Sequence, residues 1–233
     1  MCRIILLIDT PITINHIKND QINNDGFGIA YSYNDQHYAY HSLINCECDL
    51  NINTLFPLIR NSKWVLIHHR KGTNKEISLY NCHPFTYDNI TFAHVGECAI
   101  HYNDRKKIIN EIDDKLLLMI KGNTDTEYLF YLIVTKYMQL NNVKLAISSA
   151  INVISTYDCC INAILVIEAH IYIISYNNYL QNSSYFYYDS YKQILETIDH
   201  DTQISIANND ILIKPTDQLQ IWHFEKKKLL QIM

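Results

Sequence analysis

The chain has 233 residues, of which 48% are hydrophobic and 18% charged, and its formal net charge is −5. This length and composition predict a globular protein with a sizeable core, whereas the acidic balance argues against a general nucleic-acid-binding surface. No apolar run reaches the roughly 18 residues of a membrane span. From the charge we expect no nucleic acid as a partner, and from the lengths of the apolar runs we expect no membrane.

The cysteine usage predicts free thiols. Seven cysteines are an odd number, and "MCRIILLID" has no basic segment and too short an apolar stretch for a secretory leader. We therefore expect a reducing cytoplasm. Neither Cys46 with Cys48 nor Cys159 with Cys160 has the C-x-x-C spacing of a tetrahedral metal site, and no metal is expected.

The first part of the chain predicts strands around one short helix. "CRIILLI" is a β-rich apolar run that predicts a buried strand. "GFGIAYSYNDQHYAYHSL" predicts a hairpin turning at Asn34 and Asp35. "NTLFPLIR" predicts a short helix, and the strands "WVLIHHR" and "NITFAHVGECAI" follow.

The middle of the chain predicts helices, and the rest predicts strands. "DRKKIINEIDDKLLLMI", "TDTEYLFYLIVTKYMQL" and "NVKLAISSAINVIST" have helical apolar spacing. Thr124 or Asp125 can cap the second helix, and Glu127 has the spacing of a capping box with Thr124. The remaining strands are "NAILVIEAHIYIISYNN", "SYFYYDS", "TQISIANNDILIK" and "QLQIWHFEKKKLLQI". This order predicts an α+β fold, with two antiparallel sheets and helices on their outer faces, in a single domain over residues 1–233.

Cys2 is the first candidate for chemistry. If the initiator methionine is removed, Cys2 carries a nucleophilic thiol and a free α-amine, whose unperturbed pKa of about 7.7 to 8.0 suits proton transfer. Taken alone, a cysteine in an apolar strand is more often a buried side chain without chemistry.

Five stretches together resemble the class II glutamine amidotransferases. They are "MCRIILL", "NNDGFGIAYSY", "VLIHHRKGTNKEISLYNCHPF", "TFAHVGE" and "GNTDTEYLFYLI", in the order and approximate spacing of that family. The chain is most similar to the small stand-alone branch, which includes the ergothioneine-pathway amidohydrolase and the glutathione-degrading amidotransferase subunit. The resemblance implies the four-layer αββα sandwich of N-terminal nucleophile hydrolases. It also implies that the protein needs no cofactor.

The resemblance also implies roles for individual residues. Cys2 matches the nucleophile that attacks the γ-amide carbon of glutamine or a γ-glutamyl compound and forms a thioester. Arg70 matches the arginine that binds the substrate α-carboxylate, for which a guanidinium is suited, although a surface arginine is the alternative. Asp125 matches the carboxylate that receives the α-ammonium, and it could also be only a helix cap.

Four further residues belong to the expected site. His83, in "NCHPF", is expected to shape the pocket wall, and Thr124 is expected beside the substrate. Gly26 and Gly28, in "DGFG", could let the backbone approach the substrate or only form a turn.

The largest departure from the family lies in "FAHVGE". The family has His-Asn-Gly here, where the asparagine amide and the glycine N–H form the oxyanion hole. Gly96 is retained as the backbone donor, but Val95 replaces the asparagine and cannot donate. The loss of one such donor typically costs about 10²–10³ in turnover. "KGTN" after Arg70 and "VIEAHIY" at a predicted turn differ as well.

Three hypotheses follow from the sequence. The first is an amidohydrolase that releases glutamate or passes ammonia to a separate synthase subunit. The second, motivated by Val95, is an impaired binding or regulatory subunit. The third is a different fold in which Cys2 is buried and inert.

Overall fold

Two antiparallel sheets stack face to face, and helices cover both outer sides, which gives four layers. The predicted αββα sandwich is therefore confirmed, and the alternative of a different fold is wrong. The computed structural model describes residues 2–18, 25–72, 77–99, 105–178, 184–198, 207, 209–225 and 228–233.

The first sheet has seven strands in the order β11-β9-β10-β1-β4-β2-β3. Its strands are β1 Arg3–Ile8, β2 Phe27–Tyr33, β3 Gln36–Ser42, β4 Trp64–His69, β9 Tyr185–Asp189, β10 Ile194–Ile198 and β11 Ile211–Ile213. β1 lies in the middle of the sheet, so its first residues are flanked by strands on both sides.

The second sheet has six strands in the order β13-β12-β8-β7-β6-β5. Its strands are β5 Phe85–Tyr87, β6 Ile90–Cys98, β7 Cys159–Ile167, β8 His170–Asn177, β12 Gln220–Glu225 and β13 Lys228–Gln231. β6 and β7 pair over their whole length, with Val95 opposite Asn162.

Six α-helices and one 3-10 turn complete the described part of the chain. They are α1 Ile14–Lys18, α2 Asn51–Ile59, the 3-10 turn Leu79–Asn81, α3 Arg105–Ile109, α4 Asp114–Leu117, α5 Asp125–Leu140 and α6 Val143–Ile154. None of these helices is long and apolar enough to cross a membrane.

The apolar side chains form three layers of core. β1 alternates between two of them: Ile4 and Leu6 face the second sheet, and Ile5 and Leu7 face α1 and α2. Because both faces of this strand are covered, its sequence is apolar without alternation. The third layer lies between the second sheet and helices α3 to α6.

The two predicted hairpins have tight turns. Asn34 and Asp35 both adopt positive φ, 49° and 58°, as a type I′ turn requires. The turn between β7 and β8 has Glu168 at φ 55°, and its backbone nitrogen donates to the Asn89 carbonyl at 2.8 Å. The turn that departs from the family sequence is therefore a structural one.

Some predicted elements differ from the structure. "DRKKIINEIDDKLLLMI" forms two short helices, α3 and α4, because Asp113 caps a new helix by accepting a hydrogen bond from the Lys115 nitrogen at 2.9 Å. β10 was not predicted, since Glu196 and Thr197 interrupt its apolar pattern. Of "TQISIANNDILIK", most of the first half lies outside the described residues, and the second half contains β11.

Candidate active site

Cys2 lies directly before β1, beside the end of β4. The two strands are antiparallel, with Arg3 opposite His69, so Cys2 meets the segment that follows β4. Its Sγ atom lies 3.2 Å from the backbone nitrogen of Lys71, which donates to it, and 3.3 Å from the Lys71 carbonyl oxygen. The half-buried thiol is therefore held by the backbone of a loop.

Asp25 and Arg70 hold this loop in place. The Arg70 nitrogen donates to the Gly26 carbonyl at 2.8 Å, and the Asp25 nitrogen donates to the Arg70 carbonyl at 3.2 Å. The Asp25 carboxylate accepts a hydrogen bond from the Gly72 nitrogen at 2.8 Å. Arg70 is only 7% exposed, so the alternative of a surface arginine is wrong.

The charges around Cys2 act in opposite directions on its thiol. Burial raises the pKa of Cys2, whereas the Lys71 N–H and the positive charge of Arg70 lower it, and the carboxylate of Asp25 raises it. Burial also raises the pKa of the neighbouring Cys82 thiol to about 11, against the lowering effect of Arg70. Cys82 is therefore a neutral neighbour of Cys2 near pH 7.

Gly26 and Gly28 each occupy a place that a side chain would obstruct. Gly26 has φ +113°, and a Cβ atom there would lie 2.8 Å from the Cys82 sulfur. A Cβ atom on Gly28 would lie 2.1 Å from the carbonyl oxygen of His83. The absence of side chains at these two positions lets the "NCHPF" segment pack closely against β2. This packing is sufficient to explain both glycines.

Three buried histidines lie behind this loop. The His83 ring packs against that of His68, with centroids 4.3 Å apart, and its Nδ1 atom lies 3.1 Å from the His94 carbonyl oxygen. Burial lowers the pKa values of all three histidines, and those of His68 and His83 lie well below the usual range. The cluster is therefore uncharged at neutral pH.

His94 connects the histidine cluster to the start of α5. Its Nδ1 atom lies 3.0 Å from the Thr126 hydroxyl, and its Nε2 atom lies 3.2 Å from the Cys160 carbonyl oxygen. The second contact requires that Nε2 carries the proton, because a carbonyl only accepts. Nδ1 then accepts from the Thr126 hydroxyl.

Asp125 joins the start of α5 to the end of β6. One carboxylate oxygen accepts from the Cys98 nitrogen at 2.7 Å, and the other accepts from the Thr126 nitrogen at 2.9 Å. Since each oxygen has two lone pairs, the carboxylate retains capacity for a further donor.

Thr124 is the N-cap of α5. Its hydroxyl accepts from the Glu127 nitrogen at 3.4 Å. The Glu127 carboxylate accepts from the Lys121 and Gly122 nitrogens at 3.0 Å and 2.7 Å. Only the first half of the predicted capping box is therefore present, because Glu127 closes the preceding loop.

Val95 and Gly96 occupy different surroundings at the same end of β6. Val95 is 2% exposed and packs in the core between the sheets, in the same cluster as Cys2. Gly96 has φ +139°, and a Cβ atom there would lie 1.9 Å from the Cys160 carbonyl oxygen. Glycine is therefore required at this position by packing alone, apart from any chemistry.

The predicted site residues fall into two neighbouring groups. Arg70 lies in the loop after β4, which Cys2 contacts from its place directly before β1, and Gly96, Thr124 and Asp125 lie where β6 meets α5. His83 lies between the groups, because its ring bonds to the backbone of His94 in β6.

Sequence reasoning missed residues that organise this site. Asp25, the Lys71 backbone and Cys82 all border Cys2 or its loop. Asp25 stands immediately before the "GFG" segment, so its position beside a glycine turn was a usable signal. The other two depend on chain pairing that local sequence does not reveal. Among the residues that the structure describes, no three His, Cys, Asp or Glu side chains are grouped as metal ligands.

Comparison with known families gives a match over most of this region. A family model described as "Glutamine amidotransferases class-II" matches residues 13–164. This range contains Arg70, His83, Gly96, Thr124 and Asp125, and Cys2 precedes it.

A curated relative matches a shorter segment. The "Probable glutamine amidotransferase DUG3" of Saccharomyces cerevisiae is 33% identical over 117 residues, which are 48% of this chain and 32% of that protein. The match therefore spans about a third of the length of the yeast relative.

Solved structures share the fold over almost the whole chain. A glutamine aminotransferase class-II domain protein from Silicibacter pomeroyi has a TM-score of 0.71 at 20% identity, over 99% of this chain and 98% of that one. The glutamine phosphoribosylpyrophosphate amidotransferase of Bacillus subtilis, complexed with ADP and GMP, has a TM-score of 0.64 at 12% identity. It covers 99% of this chain and 48% of that one. At these identities the likeness concerns the fold.

Proposed function

The chain belongs to the class II glutamine amidotransferases, and on that premise we propose that it cleaves the γ-amide of glutamine or a γ-glutamyl compound with Cys2 as the nucleophile. The observation that carries this proposal is the surroundings of the Cys2 thiol. It receives the Lys71 N–H at 3.2 Å and lies beside the buried Arg70, at the end of a central strand.

The proposed reaction begins once methionine is removed and the α-amine of Cys2 is free. That amine takes the thiol proton, and the sulfur attacks the γ-amide carbon, whose C=O electron pair moves to the oxygen. The C–N bond then breaks, the leaving nitrogen takes the proton from the α-ammonium, and ammonia departs from a thioester. Water attacks the thioester in the same way and releases glutamate and the free thiol.

Substrate selection is assigned to Arg70 and Asp125. A guanidinium binds a carboxylate through parallel hydrogen bonds, and a carboxylate with spare lone pairs accepts an ammonium. Together the pair would recognise the free amino-acid end of a γ-glutamyl compound. His83 would form the wall behind the γ-amide, and Thr124 would border the ammonium site.

The proposed product ammonia is either released or used by a separate synthase subunit. The chain would act without a cofactor, because the nucleophile and its base are one residue. A reducing cytoplasm is the proposed compartment, and the odd number of cysteines in the sequence supports it.

A second candidate function is a binding or regulatory subunit that holds a γ-glutamyl ligand without cleaving it. The observation that favours it is Val95, which offers no hydrogen-bond donor where the family has an asparagine. This candidate predicts ligand binding with no release of glutamate.

The experiment that tests the proposal combines mass and turnover. The purified protein is weighed before and after exposure to a glutamine-mimicking diazo-ketone, and glutamate release from glutamine and γ-glutamyl peptides is measured. We expect loss of methionine, one adduct on Cys2, and turnover that Cys2→Ala abolishes without loss of fold. Turnover by Cys2→Ala would overturn the proposal. Ligand binding without turnover by the wild type would favour the second candidate.

A further inference from the structure

The side chain at position 95 faces the space in which Cys2 lies. Val95 and Ala93 of β6 pack between the sheets against Ile4 and Leu6 of β1, and Cys2 borders the same cluster. A side-chain amide at this place could reach an oxyanion formed at the thiol, but valine has no donor. Of the two hydrogen-bond donors expected to bind the oxyanion, the one at position 95 is therefore missing.

Asn162 is the residue directly opposite Val95 on the neighbouring strand β7. Directly opposed side chains of antiparallel strands lie on the same face, with Cβ atoms about 4.5–5.5 Å apart. Asn162 is 0% exposed, and Ile164 and Val166 on the same strand face pack in the core between the sheets. An asparagine amide thus enters the inter-sheet space next to Val95.

The Asn162 amide lies toward the end of the sandwich where β1 begins. Its Nδ2 atom donates to the Ser184 carbonyl at 2.7 Å. Ser184 precedes Tyr185, which pairs with Ile198 of β10, and β10 pairs with β1. In the β1–β10 register Ile5 is opposite Glu196, so Ile198 is level with Arg3. Tyr185 pairs with Ile198 and is level with Arg3 as well, and the preceding residue, Ser184, is therefore level with Cys2.

The orientation of this amide leaves one hydrogen available. Nδ2 must face Ser184 because a carbonyl only accepts, and Oδ1 accepts from the Ser175 hydroxyl at 3.1 Å. An amide nitrogen carries two hydrogens, and within the described part of the chain only one of them has an acceptor. Among the described residues the second hydrogen has no acceptor, and because a buried donor without an acceptor is unfavourable, this hydrogen favours an incoming oxygen.

We propose that Asn162 supplies the side-chain amide donor to the oxyanion in place of the residue at position 95, with the Gly96 N–H as the second donor. This inference rests on the proposed hydrolysis at Cys2. In the attack of the Cys2 sulfur, the C=O electron pair moves to the γ-oxygen, and the second Nδ2 hydrogen of Asn162 binds that oxygen. The donor has moved across one strand pair.

The test measures kcat and KM for glutamate release by four proteins: the wild type, Asn162→Ala, Val95→Asn and the double variant. We expect Asn162→Ala to lower kcat by about 10²–10³ with KM within about threefold. Val95→Asn alone should change kcat by less than about threefold, and in the double variant it should raise kcat at least about tenfold over Asn162→Ala.

The matched control is Asn178→Ala. Asn178 also holds the end of β7, through hydrogen bonds to Cys159, Ser155 and Tyr157, but it acts at the helix side of the strand. We expect this variant to lose stability and keep kcat within about threefold. Alkylation of Cys2 by iodoacetamide at the wild-type rate in Asn162→Ala would show that the nucleophile is intact.

Three outcomes would overturn the assignment. They are a folded Asn162→Ala with wild-type kcat, a double variant no faster than Asn162→Ala, and a rise of about 10² or more for Val95→Asn alone. The kcat of Val95→Asn alone tests the assignment of Asn162 even if Asn162→Ala does not fold. A wild type without turnover would instead contradict the hydrolysis itself, so the two failures are distinguishable.

Discussion

The backbone N–H of Lys71 donates to the Sγ atom of Cys2 across 3.2 Å, which places a hydrogen-bond donor on a thiol that burial otherwise keeps protonated. A donor of this kind stabilises the thiolate more than the thiol. The reactivity of Cys2 therefore depends on a balance between burial, this hydrogen bond and the charges of Arg70 and Asp25.

The first prediction concerns the charge of Asp25. Its carboxylate raises the pKa of Cys2, and Asp25→Asn removes that charge while an amide oxygen can still accept the Gly72 N–H. We expect the midpoint of Cys2 alkylation by iodoacetamide to move to lower pH, because the thiolate forms more readily. Arg70→Gln should move the midpoint to higher pH.

The measurement is the alkylation rate of Cys2 as a function of pH. Peptide mass spectrometry identifies the alkylated residue, because the exposed Cys48 can also react. Asp35→Asn is the matched control, since Asp35 lies in the β2–β3 turn at the far end of the first sheet. An unchanged midpoint for Asp25→Asn would contradict the electrostatic account.

The second prediction separates binding from folding at Asp125. Asp125→Asn removes the charge proposed to receive the substrate ammonium. A hydrogen bond to a charged group is worth about 1.5–3 kcal/mol, so we expect KM for glutamine to rise roughly 10- to 100-fold with a smaller change in kcat.

Glu127→Gln is the control for Asp125→Asn, because it removes a charge from the same helix turn. Its carboxylate holds the Lys121 and Gly122 backbone instead, so it should lower the urea midpoint and leave KM unchanged. Equal KM values for Asp125→Asn and the wild type would exclude the ammonium role.

The third prediction concerns stability at mildly acidic pH. His68 is 0% exposed, and burial holds its pKa well below the usual 6.5. The unfolded chain therefore binds a proton that the folded chain excludes. The free energy of unfolding is unaffected by this group above about pH 7, falls as pH drops through 6.5, and continues to fall toward the lowered pKa.

Below pH 6.5 a single excluded proton contributes a slope approaching about 1.4 kcal/mol per pH unit. We expect His68→Gln to reduce the pH slope of the unfolding free energy between pH 6.5 and 5, measured by urea denaturation. Identical slopes for His68→Gln and the wild type would contradict the prediction.

Local pattern was sufficient for the elements that are buried on both faces. "CRIILLI" and "WVLIHHR" were predicted as strands because a short apolar run bounded by turn residues is typical of a fully buried strand. β10 was missed because Glu196 bonds to Arg3 and Thr197 bonds to the Ile4 nitrogen, which are partners distant in sequence. Its polar residues are explained only by the neighbouring strand.

For the candidate site, the sequence offered a set of residues but not the way in which they pack. Motif order pointed to Cys2, Arg70 and Asp125, and the contact of His83 with the His94 backbone depends on how two distant segments meet. The opposition of Val95 and Asn162 likewise depends on strand register, which a motif does not contain. Sequence alone therefore indicated that Val95 offers no donor, but it did not point to Asn162, the donor that we propose.

The last prediction concerns Gly96, for which packing and chemistry make different demands. The backbone N–H at this position is proposed to bind the oxyanion, and alanine would keep that N–H. A Cβ atom would, however, lie 1.9 Å from the Cys160 carbonyl oxygen, at a φ of +139° that side chains rarely adopt. We expect Gly96→Ala to lower the free energy of unfolding by at least about 2 kcal/mol, measured by urea denaturation.

Glu97→Ala is the control on the adjacent, exposed residue of β6 and should change stability by less than about 0.5 kcal/mol. A Gly96→Ala protein as stable as the wild type would show that β7 can move away from the added methyl group. If Gly96→Ala is destabilised as expected, any accompanying loss of turnover cannot by itself be assigned to the N–H. The catalytic part of this position is therefore tested better through Asn162 and Val95, where the donor can be removed and restored without a backbone clash.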